Sequence, residues 1–239
     1  MRLQNEVKPK MIYEIAGLKV EMNPKFNRMK RQSEAYKSSG EPILRIDSEL
    51  NADPALRSRT EEEREYILSC AAFCREVIPY GRFFLHASAV ALDGEAYLFS
   101  APSGTGKSTH TGLWLKQFPG SYILNDDKPV IYPSCEGVSV WGTPFSGKTD
   151  LQVNGVLPLR AICFLHRGDK NSIAPVSCDR ALAHILNNTY RPHSVKEMEL
   201  LLDAAVKVAK SVSIFEMSCR AEPAAAEMSY RAMKGKRLL

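Results

Sequence analysis

Seven consecutive residues, Ser103-Gly104-Thr105-Gly106-Lys107-Ser108-Thr109, carry the strongest chemical signal in this chain. They lie between an apolar run, 95 to 100, and a helical pattern from Ser108 to Phe118, so the glycines fall where a strand gives way to a helix. In that setting backbone N–H groups can turn inward around phosphate oxygens, and the helix N-terminus adds partial positive charge. Lys107 would reach the β- and γ-phosphates of a nucleotide, and the Ser108 hydroxyl would sit on Mg²⁺. Where the common pattern opens with a glycine this chain has Ala101, which the backbone tolerates only at negative φ.

Two further signals flank the loop. Asp126-Asp127 follows Lys107 by 19 residues, the length of one helix and its returning strand. That arrangement brings both carboxylates back to the phosphate loop, one to hold metal and the other to accept a proton. His86 precedes Lys107 by 21 residues, on the strand that pairs with the one entering the loop. Crossing the Asp93-Gly94 turn should return it near the loop, where it either binds phosphate or metal or serves as a satisfied core residue.

The elements that must position these groups follow from the apolar pattern. Residues 83 to 92 and 95 to 100 are strand candidates joined by Asp93-Gly94, a dipeptide suited to a tight hairpin. A short strand, Tyr122 to Leu124, leads into Asn125 and the aspartates. Segments 130–132 and 138–142 form a second hairpin, 142–150 (GTPFSGKTD) a glycine-punctuated loop, and 156–166 a buried strand. Helices are expected at 178–189, at 195–210 with Ser194 and Glu197 as cap, and after Pro223, with a strand at 212–218. Upstream, Thr60 to Glu63 is a capping box opening a helix that Pro79 ends. Residues 12–22 and 42–47 read as strands around a polar connection from Pro24 to Gly40. Hairpins mixed with crossover helices point to an α/β domain whose sheet is mixed and partly antiparallel.

The order His86, phosphate loop, Asp126-Asp127 resembles the C-terminal domain of HPr kinase/phosphorylase and the nucleotide-binding part of ATP-dependent phosphoenolpyruvate carboxykinase. More closely, LHASAVALDGEAYLFSAPSGTGKSTHTGLW, LNDDKPV, GTPFSGK and LPLRAICFLHRG are similar to uncharacterised bacterial HPr-kinase-related proteins, which are often encoded beside peptide-modification genes. The match runs from residue 83 to about 239, and its correspondence to HPr kinase itself is confined to the loop, the histidine and the aspartates. The resemblance implies a P-loop domain of that kind over 60–239, with residues 1–59 as a small β-containing extension. It implies ATP and Mg²⁺ as cofactors, Lys107 as the loop lysine, and Ser108 with Asp126 on the metal. It further implies a general base within the aspartate pair, here expected to be Asp127 with Asp126 on the metal side although the sequence does not order the two, and His86 on the phosphate or metal side. Lys148 and Arg191 are candidate cations for transferred phosphate or substrate. The expected activity is a kinase acting on a hydroxyl of a small molecule or a peptide serine. A nucleotide-binding accessory protein and a phosphorylase or phosphatase running the reaction backwards are the alternatives. The related kinases often form homo-oligomers, which leaves that option open here.

Composition narrows the remaining classes. The chain has 239 residues, 44% apolar and 25% charged, enough for a sizeable core without crosslinks. Its net charge is +5, and four of those charges (Arg231, Lys234, Lys236, Arg237) fall in the last ten residues. No nucleic-acid footprint is expected from so localised a surplus. The polar opening MRLQNEVKPK and the lack of a long apolar run argue against secretion and membrane spanning. The six cysteines show no CxxC pair, consistent with reduced thiols, no zinc site and a cytoplasmic protein. There is no Asn-Lys-x-Asp-like base-reading motif for a guanine switch and no LSGGQ-like segment for an ABC-type ATPase.

Overall fold

The opening segment that reads as one strand is a hairpin. In the computed structural model, which describes residues 11–47, 54–102 and 104–235, β1 (Ile12–Ile15) and β2 (Leu18–Met22) pair antiparallel across Ala16-Gly17, at φ 52° and 72°. Two positive-φ residues give the tight turn that matches strand twist, and Gly17 supplies one of them without steric strain. The stretch from 24 to 40, expected as a connection, holds α1 (Asn27–Ser33) and β3 (Lys37–Ser38). With β4 (Leu44–Ile46) these strands form a sheet ordered β3-β1-β2-β4.

The first turn of α1 is capped from a distance. Glu65 accepts hydrogen bonds from the amides of Lys25 (2.5 Å) and Phe26 (3.0 Å), and Glu62 accepts one from Arg28 (2.9 Å). These carboxylates satisfy donors that the helix itself leaves open. Both belong to α2 (Glu61–Glu76), which begins with the anticipated capping box: Glu63 N donates to Thr60 Oγ1 at 3.2 Å, and Thr60 N to Glu63 Oε2 at 3.1 Å. The buried face of α2, with Tyr66, Cys70, Phe73 and Cys74, shares one apolar cluster with the small sheet and with Phe84, Val130 and Phe145. It is the joint between the small sheet and the large one.

The large sheet comprises β5 (Phe83–Phe84), β6 (Ala87–Leu92), β7 (Glu95–Ser100), β8 (Tyr122–Asp127), β9 (Val130–Ser134), β10 (Gly137–Trp141), β11 (Val156–Arg167), β12 (Ser172–Pro175) and β13 (Ser213–Cys219). Its helices are α3 (Lys107–Gln117), α4 (Cys178–Asn187), α5 (Val195–Ser211) and α6 (Pro223–Lys234). The strands run in the order β5-β9-β10-β11-β7-β6-β8, with β13 added on β11 and β12 on β13. The long β11 is the spine, parallel to β7 and β13 and antiparallel to β10. The fold is therefore α/β with a mixed sheet, as the hairpins and crossover helices led one to expect.

Period-two alternation divides the core into two layers. Ala89, Leu98 and Ile162 face α4 and α5, which contribute Ile185, Leu201 and Val208. Tyr97, Phe99 and Cys163 face α3 and α6, which contribute Trp114, Ala226 and Met233. All six cysteines are free thiols, and no helix among the described residues is long and apolar enough to cross a membrane.

Three local expectations need correction. The run 83–92 is not one strand: Leu85 N donates to Pro129 O and His86 N to Asn188 O, so the ladder is interrupted and resumes at Ala87. The strand expected to stop at Leu124 continues to Asp127, because polar Asn125 and Asp126 are paired on both flanks, to β6 and to residues 151–153. Ser194 does precede α5, but its side chain makes no capping bond and lies exposed, where water can serve the same amides. β12 had no sequence counterpart; its pattern is short and mostly exposed.

Candidate active site

The ends of β7, β6 and β8 meet at one edge of the sheet. The Asp93-Gly94 turn, at φ 53° and 76°, sets the β6–β7 register so that Ala87 lies opposite Ser100, and Ser100 Oγ donates to the carbonyl of His86 at 2.8 Å. The β6–β8 register places Ser88 opposite Asp126 and Ala87 opposite Asp127. One hairpin and one crossover helix therefore bring His86, the glycine loop and both aspartates together.

Gly104 and Gly106 take φ of 77° and 112°, and a Cβ built on either would meet nothing within 4 Å. The loop needs glycine for its backbone and leaves open room beside it. Ser103 lies outside the described residues. Ala101 is buried and is not among the positive-φ positions, so its methyl group is accommodated where the common pattern has glycine. α3 starts at Lys107 with Gly106 before it and no side-chain cap, so the helix N-terminus, where backbone N–H groups lack partners within the helix, directly follows the loop.

Lys107, Ser108 and Thr109 line a cleft of about 520 Å³ together with His86, Asp126 and Asp127. Burial lowers the Lys107 ammonium from its ordinary range, while the two carboxylates act to raise it. Asp126 is 7% exposed and accepts a hydrogen bond from Ser88 Oγ. Asp127 is bound at both oxygens, by His86 Nε2 at 3.1 Å and by Lys128 Nζ at 2.9 Å. Burial alone would raise its carboxyl, but these two partners outweigh it and hold Asp127 well below the usual carboxylate range. Its backbone stands at φ 108°, a conformation that L residues rarely adopt. Strain of this kind concentrates at functional sites.

The opposite wall is the loop from Gly142 to Asp150, from which Lys148 and Thr149 reach the cleft. Gly142 is obligatory: a Cβ there would meet the Val153 carbonyl at 1.9 Å. Buried Asn125 ties this wall to the aspartate strand, donating to Thr143 O at 2.8 Å and accepting from Lys128 N at 2.9 Å. Lys128 and Asn125 were not singled out as functional, although both stand within the LNDDKPV run.

Arg167, also unanticipated, ends β11 and lines the same cleft. Its guanidinium donates to the Gly104 carbonyl and, at 3.3 Å, to the Thr105 carbonyl, so it braces the glycine loop. Past it a second groove of about 320 Å³ runs between Thr109, Leu113 and Arg220. Arg191 is exposed and is not among the residues lining the cleft. Among the described residues no group of three or more His, Cys, Asp or Glu side chains is arranged to hold a metal ion alone. Ser108 and Asp126 both line the cleft, and their oxygens are of the donor type that Mg²⁺ prefers.

A family model described as SynChlorMet cassette protein ScmC matches residues 57–224. No curated protein matches the chain. Among solved structures, the Hpr(Ser) kinase/phosphatase from Coxiella burnetii is 12% identical, with a TM-score of 0.36 over 64% of this chain and 99% of that one, a likeness too slight to bear on activity.

Proposed function

The chain belongs to the SynChlorMet cassette protein ScmC family, and from that premise we propose that it is an ATP- and Mg²⁺-dependent phosphotransferase of the HPr-kinase-related kind. One observation carries the reading: a glycine loop with its lysine and a pair of aspartates from the next strand line a single cleft. In this reading residues 60–239 are the nucleotide-binding domain, 1–59 its extension, and the protein is cytoplasmic.

The loop amides and the N-terminus of α3 bind the β- and γ-phosphates, and Lys107 neutralises charge on the transferred group. The second groove, beyond Arg167, receives the nucleoside end of the donor. Ser108 and Asp126 would hold Mg²⁺, which supplies charge neutralisation on the phosphoryl oxygens. Asp127, kept ionised, accepts a hydrogen bond from the acceptor hydroxyl. As the new O–P bond forms and the bond to the ADP oxygen breaks, the hydroxyl proton passes to the Asp127 carboxylate. His86 and Lys128 fix that carboxylate in place, and the Lys128 ammonium balances its charge. Lys148 approaches from the acceptor side, where a small molecule or a peptide serine would enter.

The test is transfer from γ-labelled ATP to candidate hydroxyl acceptors, with labelled peptide or small-molecule product as readout. Product formed by the wild type and lost in Asp127→Asn supports the assignment. ATP binding without any labelled product, unaltered by Asp127→Asn, would favour an accessory protein. Label released as orthophosphate from a phosphorylated substrate would favour the reverse reaction.

A further inference from the structure

The acceptor-side wall is gripped by two helices, α1 and α2, that precede the glycine loop in the chain. Arg28 on α1 donates to the carbonyl of Gly147 and lies 3.5 Å from the centroid of the Tyr66 ring. Tyr66 on α2 accepts from the Gly147 amide at 2.8 Å. Both polar backbone groups of one glycine are thus held by side chains 119 and 81 positions away. The rest of α1 fastens the flanks: Gln32 Nε2 donates to Ser146 Oγ at 3.1 Å and to Asp150 Oδ1 at 2.5 Å, and Arg31 pairs with Asp150. Lys148 and Thr149 lie between these two anchors.

Gly147 is also in contact with the aspartate. At φ 67° it turns its bare Cα toward Asp127, and a Cβ added there would stand 3.1 Å from Asp127 Cβ and 3.3 Å from Oδ2. The backbone that α1 and α2 clamp is therefore the surface against which the Asp127 side chain rests. A neutral phenol and a delocalised cation suit this task, since they hold a peptide by hydrogen bonds and stacking without placing an acid beside Asp127.

We infer that Arg28 and Tyr66 are positioning residues for phosphoryl transfer, acting through Gly147 to set the Asp127 carboxylate and the Lys148 side chain against the acceptor. This rests on the phosphotransferase reading. It gives α1 and α2 a purpose in the reaction: they fix the acceptor wall, whereas the donor wall is built by the glycine loop with Arg167 as its brace. A displacement of about 1 Å at such a wall can cost roughly 10²-fold in rate while leaving the donor's own contacts intact.

The experiment uses the full chain and two variants, Tyr66→Phe and Arg28→Ala, with three readouts. These are the dissociation constant of a fluorescent ATP analogue, the turnover of MgATP with water as acceptor, and amide hydrogen exchange of residues 146–150 without nucleotide. The expected result is turnover reduced by roughly tenfold to 10²-fold, nucleotide affinity within about twofold of wild type, and exchange at 146–150 faster by about tenfold. Unchanged turnover in both variants overturns the inference. So does an equal loss of affinity and turnover with a lowered unfolding midpoint, the mark of general destabilisation. A wild type that binds no MgATP removes the phosphotransferase reading and the positioning role with it. The exchange arm then separates a clamp that exists without that reaction from one that does not exist.

Discussion

The two walls of the cleft are built in different ways. The donor wall is contiguous: β7, the glycine loop and α3 follow one another within 95–117, and the hairpin that brings His86 alongside is a local turn. The acceptor wall is assembled: residues 146–150 take their positions from Arg28, Arg31 and Gln32 on α1, from Tyr66 on α2, and from Asn125 through Thr143 and Lys128. A wall encoded in one stretch behaves as a fixed part. A wall held by distant side chains can be loosened without touching the other, and on the proposed phosphotransferase reading this would separate binding of the donor from transfer to the acceptor.

The largest effect that sharpens the contrast is expected at the point where the walls meet. Asp127→Asn should lower phosphoryl transfer by roughly 10²–10⁴-fold, the usual weight of a general base, while the affinity for MgATP stays within a few-fold. Steady-state kinetics beside equilibrium binding would check it, and a matched loss of both would merge the two walls into one. Lys107→Ala, on the donor wall, should instead reduce both, with turnover down by roughly 10²–10³-fold. Retained affinity in that variant would break the assignment of the glycine loop.

A smaller effect concerns the stability of the donor wall. His110 on α3 is 3% exposed, bonds Ser229 Oγ through Nε2 at 3.0 Å and rests on the Phe99 ring. Burial pushes its pKa down to about 4 from 6.5, so the folded protein keeps it neutral while the unfolded chain takes up a proton. Its contribution is complete above pH 6.5 and is lost as pH falls from there toward 4, by about 3 kcal/mol. Urea unfolding across that window should show the decline, and His110→Gln should flatten it. The smallest effect lies on the acceptor side. Glu65→Ala leaves the Lys25 and Phe26 amides without their carboxylate and should cost roughly 1–3 kcal/mol, with transfer impaired more than nucleotide binding.

The same contrast explains what the amino-acid sequence revealed. The glycine loop, the Asp93-Gly94 turn and the Thr60–Glu63 box are local devices, each readable within a few residues, and the mixed sheet follows from them. The proximity of His86 and the aspartates was also readable, because one hairpin and one crossover leave little freedom in where they return. α1 was hidden because its cap comes from Glu62 and Glu65, and nothing near Asn27 announces a helix. Asn125 was passed over because a polar residue within a strand looks like its end, unless Thr143 and Gln152 are known to flank it. Arg167 gave only a charge after an apolar run, and its bond to the glycine loop depends on β11 lying beside β7. Arg191 carried no spacing relation to the loop, and it is not among the residues that line the cleft.

Calorimetric titration of MgATP into the wild type, Lys107→Ala and Asp127→Asn, with γ-phosphoryl loss followed in the same samples, addresses the shared cleft most directly. The account predicts one donor site in the wild type, a site weakened at least tenfold in Lys107→Ala, and a preserved site without turnover in Asp127→Asn. Binding of equal strength in the wild type and Lys107→Ala, or no binding to either, would contradict it.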